Sequence, residues 1–181
     1  MADFEETGRE EIFRGSVFRL EKRRVKGPPG TFVRDIVVHP GAVVLVPILG
    51  GDVLFVRQWR HPMGYLTELP AGTLEAGEEP IETAGREIRE ETGCRAGRLV
   101  PLGRAYAAPG YSTELLHFFL ATDLVADPLP SDADEDIEIL RLPLAEALGR
   151  ARAGAFEDAK TELGLLLASP HLPGIREGRR T

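Results

Sequence analysis

The chain has 181 residues, of which 43% are hydrophobic and 28% are charged, and its formal net charge at pH 7 is −7. This length suits one globular domain with a sizeable core, and the acidic balance argues against a nucleic-acid binder with a basic face. The single cysteine, Cys94, excludes an internal disulfide and fits a reducing compartment. With no secretory leader and no apolar run long enough to span a bilayer, we expect a cytoplasmic protein with no membrane partner.

The first predicted element is an N-terminal antiparallel β-hairpin. Residues 11–25 alternate apolar and polar side chains, as a half-buried strand does. The KGPPG run at 26–30 is a turn signal, and the strand pattern resumes over 31–39. We therefore expect a β element over residues 1–39, followed by the main domain over 40–181.

The next predicted elements form a central hairpin. The continuous apolar run AVVLVPIL at 42–49 is typical of a strand that is buried on both faces. A Gly-Gly-Asp turn then leads into VLFVRQWR, which predicts the second strand. Trp59 lies in this strand, where a core position is favoured over stacking on a base.

The first convincing helix covers residues 80–91. Pro80 suits the first turn, Gly93 is a natural stop, and Ile81, Ala84 and Ile88 supply a stripe that faces the core. Further elements follow as strands over 98–107, 114–121 and 137–142 and helices over 144–153 and 158–168. This order predicts an α+β fold with a mixed sheet, rather than a doubly wound parallel sheet.

The predicted first helix carries three carboxylates on one side. Glu87, Glu90 and Glu91 share a face of roughly 100° at 3.6 residues per turn, and like charges four residues apart repel one another. A divalent cation would reverse this penalty, since Mg²⁺ takes carboxylate oxygens. Arg86 is placed to orient the carboxylates through bidentate hydrogen bonds. The alternative is a solvated, charge-rich helix.

The spacing of these residues resembles the Nudix box. Its fixed positions are filled by Gly72, Glu78, Arg86, Glu87, Glu90, Glu91 and Gly93. The resemblance implies an α/β/α Nudix sandwich that hydrolyses a nucleoside diphosphate linked to another group. It also implies a divalent cation, Mg²⁺ or another such as Mn²⁺, held by Glu87 and Glu91 with Glu90 nearby and the main-chain carbonyl of Ala71. Arg86 and Glu90 would support catalysis.

The regions outside the box look like the ADP-ribose pyrophosphatase branch of that family. The similar stretches are APGYSTE at 108–114, RQWRHP at 57–62, ELPAG at 68–72 and DAKT at 158–161. The resemblance implies that Arg60 contacts the diphosphate and that Arg34 lies near the adenosine end, contributed across a dimer interface. Substrate contacts at the terminal-ribose end and in the box are assigned to Gly110, Ser112, Glu114 and Glu75.

The acidic run DADEDIE at 132–138 is the expected source of a general base. In the branch that this chain resembles, a glutamate on such a loop serves this purpose, and Glu135 is the best-matching position. Asp134, Asp136 and Glu138 are close rivals, because a sequence does not show which carboxylate reaches the attacking water. The competing interpretation of the run is a solvated acidic turn.

Together these features predict a homodimeric enzyme that hydrolyses ADP-ribose to AMP and ribose 5-phosphate. One alternative is a Nudix hydrolase of another nucleoside diphosphate derivative, such as FAD, a nucleotide sugar or a dinucleoside polyphosphate. Another is a binding module that senses ADP-ribose without cleaving it. The complete set of carboxylates speaks against the binding module, which has no need of them.

Overall fold

The structure, a computed structural model, describes residues 3–61, 63–130 and 136–172. The strands within these ranges are β1 (Glu5–Arg14), β2 (Arg19–Gly27), β3 (Gly30–Val38), β4 (Ala42–Leu49), β5 (Asp52–Arg60), β6 (Gly64–Glu68), β7 (Ala71–Thr73), β8 (Cys94–Tyr106), β9 (Leu115–Ala126) and β10 (Glu138–Pro143). The α-helices are α1 (Pro80–Thr92), α2 (Leu144–Arg152) and α3 (Ala159–Ala168). None of the described helices has the length and apolar character needed to cross a bilayer.

The N-terminal element is a three-stranded antiparallel sheet in the order β1-β2-β3, not a two-stranded hairpin. The pattern over 11–25 predicts one strand, but a turn divides it, in which the Gly15 N–H donates to the Phe18 carbonyl at 2.9 Å. The apolar pattern continues through this turn because Val17 and Phe18 are apolar but exposed. Alternation alone therefore conceals the break.

The main sheet is mixed, as the sequence predicts. Its strands follow the order β10-β5-β4-β9-β8, with β6 pairing with β5 and β7 pairing with β4. The β4–β9 pair is parallel, whereas the other pairs are antiparallel. Residues Ala42 to Val46 of β4 are buried, which confirms a strand covered on both faces. The short strands β6 and β7 escape prediction, because they lie between Gly and Pro residues.

Helices cover both faces of this sheet, so the α/β/α arrangement is confirmed. On one face, Ala84 and Ile88 of α1 pack with Val43 and Leu45 of β4. On the other face, Leu165 of α3 belongs to a larger cluster that also contains residues of α2 and β5. Successive residues of β4 point in opposite directions, and each direction meets its own helix layer.

The ends of α1 lie where the sequence signals put them. Pro80 occupies the first turn and Gly93 ends the helix in the left-handed conformation at φ 68°, which glycine adopts without a steric penalty. One expectation for the inner stripe is wrong, since Ile81 is 50% exposed. Burial in α1 begins only at Thr83, so the first turn lies outside the part that covers the sheet.

Candidate active site

Strand β7 passes directly beside the carboxylates of α1. A Cβ atom on Gly72 would lie 1.8 Å from Cδ of Glu87, so a larger residue there would displace the Glu87 carboxylate. One residue earlier, the Ala71 N–H donates to Oε2 of Glu91 at 2.9 Å. Glu87 and Glu91 are 8% and 4% exposed. The fold thus holds two carboxylates against the backbone of β7 at the edge of solvent.

Arg86 organises the other contacts of these carboxylates. Its guanidinium donates to Glu87 at 2.7 Å and to Glu90 at 2.8 Å. The opposite edge donates to both oxygens of Glu78 and to the Thr73 carbonyl. The hydrogen bond with Glu78 raises the pKa of Arg86, and the same bond lowers the pKa of the Glu78 carboxyl. The expected orienting contacts of Arg86 are therefore present.

The donor set suits a hard divalent cation. Three carboxylates share one face of α1, and oxygen ligands of this kind are those that Mg²⁺ and Ca²⁺ take. Within the described ranges, no three His, Cys, Asp or Glu side chains already stand in a metal-binding arrangement. Arg86 lies between Glu87 and Glu90, and Glu91 faces the Ala71 N–H. Metal ligation by Ala71, Glu87, Glu90 and Glu91 stays a prediction, supported by the chemistry of the carboxylates.

Two adjoining clefts open beside the carboxylates. The first, the acidic cleft, has a volume of about 590 Å³ and the second, the inner cleft, of about 470 Å³. They share four residues along β5 and β7: Arg60, Ala71, Gly72 and Thr73. The acidic cleft adds Val17, Gln58, Trp59, Leu74, Glu75, Arg86 and Glu87. The inner cleft adds Tyr106, Glu114 and Lys160, among others. An elongated ligand could therefore lie across both.

A buried carboxylate anchors the arginine where the clefts meet. Glu68 is 2% exposed and accepts hydrogen bonds from Arg60 at 2.8 Å and from Lys160 at 2.9 Å. Lys160 also pairs with Asp158 at 3.0 Å. Burial opposes ionisation of Glu68, but the bond from Arg60 and the charge of Lys160 outweigh it, so its pKa is lowered. Arg60 keeps 40% of its side chain exposed.

Neither Glu68 nor Lys160 is assigned a role by the sequence. Both lie in stretches that resemble the pyrophosphatase branch, namely ELPAG and DAKT, but the spacing along the chain does not show that they meet. They lie 92 positions apart in the chain and are brought together by the packing of α3 against the sheet. The sequence offers a signal only for Glu68, a carboxylate close to Leu66, Leu69 and Pro70.

The residues assigned to the terminal-ribose end are only partly brought together. Glu114 lines the inner cleft, and its N–H donates to the Ser112 hydroxyl at 3.1 Å. Ser112 is held beside β3 by a bridge to Val37. Gly110 lies in the exposed turn of the same loop, and it is not among the described residues that line either cleft.

The two remaining residues assigned to the substrate differ in their placement. Glu75 lines the acidic cleft. Arg34 lies on β3, with its guanidinium 4.3 Å from the centre of the Phe32 ring. It is not among the described residues of either cleft, so only Glu75 is beside the carboxylates of α1.

The acidic run at 132–138 is described only at its C-terminal end. Glu135, the expected general base, and its rival Asp134 lie outside the described residues. Asp136 is exposed, and Glu138 forms an exposed ion pair with Arg57 on β5. Neither of these two carboxylates lines a cleft in the described part of the chain.

Comparisons with known proteins agree with this geometry. The family model described as NUDIX domain matches residues 38–162. The ADP-ribose pyrophosphatase of Bacillus subtilis (strain 168) is 39% identical over 158 residues, which cover 84% of this chain and 85% of that protein. The ADP-ribose pyrophosphatase of Mycobacterium tuberculosis (strain ATCC 25618 / H37Rv) is 37% identical and covers 98% of this chain and 88% of that protein. A crystal structure described as an ADP compounds hydrolase has a TM-score of 0.82 at 26% identity and covers 93% and 94% of the two chains.

Proposed function

This chain belongs to the NUDIX family, and from that premise we propose that it hydrolyses the diphosphate bond of ADP-ribose, yielding AMP and ribose 5-phosphate. The observation that carries the proposal is the meeting of opposite charges on one ligand-sized surface. Glu87 of α1 lines the acidic cleft together with Glu75, and Arg60 lies where that cleft joins the inner cleft. A diphosphate needs both a cation bridge to the carboxylates and a direct cationic contact.

The cation is proposed to be Mg²⁺ or Mn²⁺, bound by Glu87, Glu90, Glu91 and the Ala71 carbonyl. A divalent cation supplies Lewis-acid stabilisation of the charge that develops at phosphorus. Arg86 would keep Glu87 and Glu90 oriented for the cation through its hydrogen bonds to both, while its paired bonds to Glu78 hold the guanidinium in place. Arg86 thus keeps the carboxylates apart and oriented, and Gly72 leaves room for Glu87 to remain beside β7.

The substrate is proposed to lie across both clefts. Arg60, braced by Glu68, holds the diphosphate at the junction, which orients the bond to be cleaved. The terminal ribose extends toward Glu114, Ser112 and Gly110, and Glu75 contacts the substrate from the acidic cleft. Glu135 is proposed as the general base, which takes the proton of the attacking water. A cytoplasmic setting is proposed as well, and the lone cysteine supports it.

A homodimer is proposed to complete the site, with residues 1–39 as the dimerisation element. The support is that β1 is exposed along its whole length, and that Arg34 lies away from the clefts of its own chain. A three-stranded sheet with so little burial gains stability from a covering partner. Light scattering after size-exclusion chromatography should give twice the mass of one chain, and removal of residues 1–39 should give a monomer.

Turnover with Mg²⁺ tests the activity directly. ADP-ribose, GDP-mannose, FAD and a diadenosine polyphosphate are compared by their kcat/KM values, with AMP and ribose 5-phosphate identified as the products of ADP-ribose. We expect ADP-ribose to rank first. A higher value for any of the other three compounds would assign the enzyme to that substrate instead.

The substitution Glu91→Gln separates an enzyme from a sensing module. It preserves the shape of the side chain but removes a charge from the proposed metal site, so turnover should be lost while ADP-ribose still binds. Glu82→Gln is the matched control, because Glu82 is an exposed residue of the same helix. The Glu79 N–H donates to its side chain at 3.1 Å, and a glutamine accepts the same bond. Full turnover in Glu91→Gln would refute the metal assignment.

A further inference from the structure

The only tryptophan of the chain occupies an unexpected position. The sequence favours a core position for Trp59, but its side chain is 52% exposed and lines the acidic cleft. It precedes Arg60, the residue at the junction of the two clefts, and it lies at the end of β5 where the strand leaves the core. Burial of so large an aromatic side chain is favourable, so its exposure in a ligand-sized cleft requires an explanation.

Two neighbouring rings hold the indole in place without stacking on it. The His61 ring lies 5.7 Å from the indole with an interplanar angle of 83°. The Tyr65 ring lies 5.2 Å away at 80°. Both contacts are nearly perpendicular, so neither ring takes up the parallel position that a flat ligand would use. The indole is thus oriented by its neighbours and half open to the cleft.

An adjacent side chain of the same cleft carries a second, independent signal. Gln58 is 5% exposed, and its Nε2 has no hydrogen-bond acceptor among the described residues. A buried donor without a partner is costly and is rare in folded proteins. Since Gln58 also lines the acidic cleft, a ligand in this cleft could supply the missing acceptor.

We propose that Trp59 stacks on the purine base of the bound nucleotide, and that Gln58 donates a hydrogen bond to an acceptor atom of the same nucleotide. The inference rests on the proposed function for the class of ligand. With the diphosphate on Arg60 and the terminal ribose toward Glu114, the nucleoside end must leave the junction through the acidic cleft, where Trp59 lies. Every base has a π-face, so aromatic stacking suits this end of the molecule.

Because the chain has one tryptophan, the tryptophan fluorescence of the protein reports on Trp59 alone. The full-length wild-type protein is titrated with AMP and, separately, with ribose 5-phosphate, both in the presence of Mg²⁺. AMP carries the base and should change the tryptophan emission with a saturable curve. Ribose 5-phosphate has no base and should leave the emission unchanged.

Substitutions measure how much the stacking contributes. Trp59→Leu should raise the KM for ADP-ribose and the inhibition constant of AMP about 5- to 150-fold, the range expected for one base–aromatic contact. The inhibition constant of ribose 5-phosphate should stay the same. Trp59→Phe, the matched control, retains a flat aromatic face and should recover most of the loss. Gln58→Leu should weaken AMP binding about 3- to 10-fold.

Two results would refute the base-stacking site, and a third would distinguish its failure from the failure of the proposed substrate. Unchanged emission with AMP together with an unchanged KM in Trp59→Leu would refute the base-stacking site. A blue-shifted emission that ignores AMP but shifts red on dilution would also refute it, because a second copy would then cover Trp59. If the wild type fails to hydrolyse ADP-ribose while AMP still changes the emission, the proposed substrate is wrong and the base-stacking site stands.

Discussion

Two charge clusters in this protein have opposite compositions. The α1 cluster surrounds one arginine with carboxylates, and the β2 cluster surrounds one glutamate with arginines. The members of the α1 cluster are Arg86, Glu78, Glu87 and Glu90. The members of the β2 cluster are Glu21, Arg9, Arg19 and Arg23. Both use the same charge-assisted hydrogen bonds, yet they leave surplus charges of opposite sign.

The sign of the surplus charge distinguishes the proposed active site from a cluster that only stabilises a sheet. In the α1 cluster, one arginine cannot neutralise all the carboxylates around it, and this cluster lines a cleft, so it favours an added cation. In the β2 cluster, Glu21 is 3% exposed and pairs with three arginines, and Glu6 balances two of these arginines in turn. That cluster stabilises a sheet whose first strand is exposed throughout.

The largest effect should come from crowding the α1 cluster. Gly72→Ala places a methyl group where the Glu87 carboxylate lies, so we expect turnover to fall by more than about 100-fold, beyond the range for residues that only support metal ligands. Steady-state kinetics with ADP-ribose measures it. Gly85→Ala is the control, since an added Cβ there has no neighbour within 4 Å and should stabilise the helix by about 0.5–1 kcal/mol. Similar activity in both variants would contradict the site.

Replacement of the Arg86 guanidinium should have a smaller effect. Arg86→Lys retains a positive charge but loses the planar fork that spans Glu78, Glu87 and Glu90. Loss of such an orienting partner costs about 10- to 100-fold in metal affinity or activity, so the Mg²⁺ concentration for half-maximal turnover should rise or kcat should fall. An unchanged Mg²⁺ dependence and an unchanged kcat would mean that Arg86 does not orient the ligands.

The β2 cluster should respond in stability rather than in catalysis. Glu21→Gln weakens the buried hydrogen bonds with Arg19 and Arg23, so we expect a loss of about 1–3 kcal/mol in the free energy of unfolding. Urea unfolding followed by circular dichroism measures the loss. The Mg²⁺ dependence of the folded variant should equal that of the wild type. A changed Mg²⁺ dependence would show that the two clusters are coupled.

The smallest effect is the pH dependence that Glu21 contributes. Hydrogen bonding from Arg19 lowers the pKa of Glu21 in the folded protein, so the unfolded chain binds its proton more readily. The contribution is therefore complete above the unfolded pKa of about 4.3 and is lost as the pH falls through the lower folded value. Unfolding free energies between about pH 6 and pH 3 should fall less steeply in Glu21→Gln. Equal slopes would exclude this contribution.

Much of the site could be predicted because the residues that determine its helix lie close together in the sequence. The span from Pro80 to Gly93 contains a first-turn proline, a capping glutamate and a left-handed stop, so the helix forms where its own residues direct. Helical geometry then places Glu87, Glu90 and Glu91 on one face. The resemblance to a known motif depended on the same short spacing.

The places where prediction failed depend on distant packing. Trp59 fits a strand pattern as well as a core residue does, and only the end of β5 and the cleft beside it decide its exposure. The turn at Gly15 is hidden in the same way. The alternation of apolar and polar residues does not show which face of a strand is covered by another segment. Ile81 belongs to an apolar stripe, but the sheet does not extend beneath it.

The sequence by itself determined the class of the fold, the bounds of α1, and the carboxylate-rich face of that helix. Only the tertiary structure decided that Glu68 joins Arg60 to Lys160, that β7 passes the carboxylate of Glu87, and that Trp59 faces a cleft. The physical reason is the distance along the chain over which each kind of interaction acts. Helix geometry and capping act over a few residues, whereas burial and ion pairing depend on which distant segments pack together.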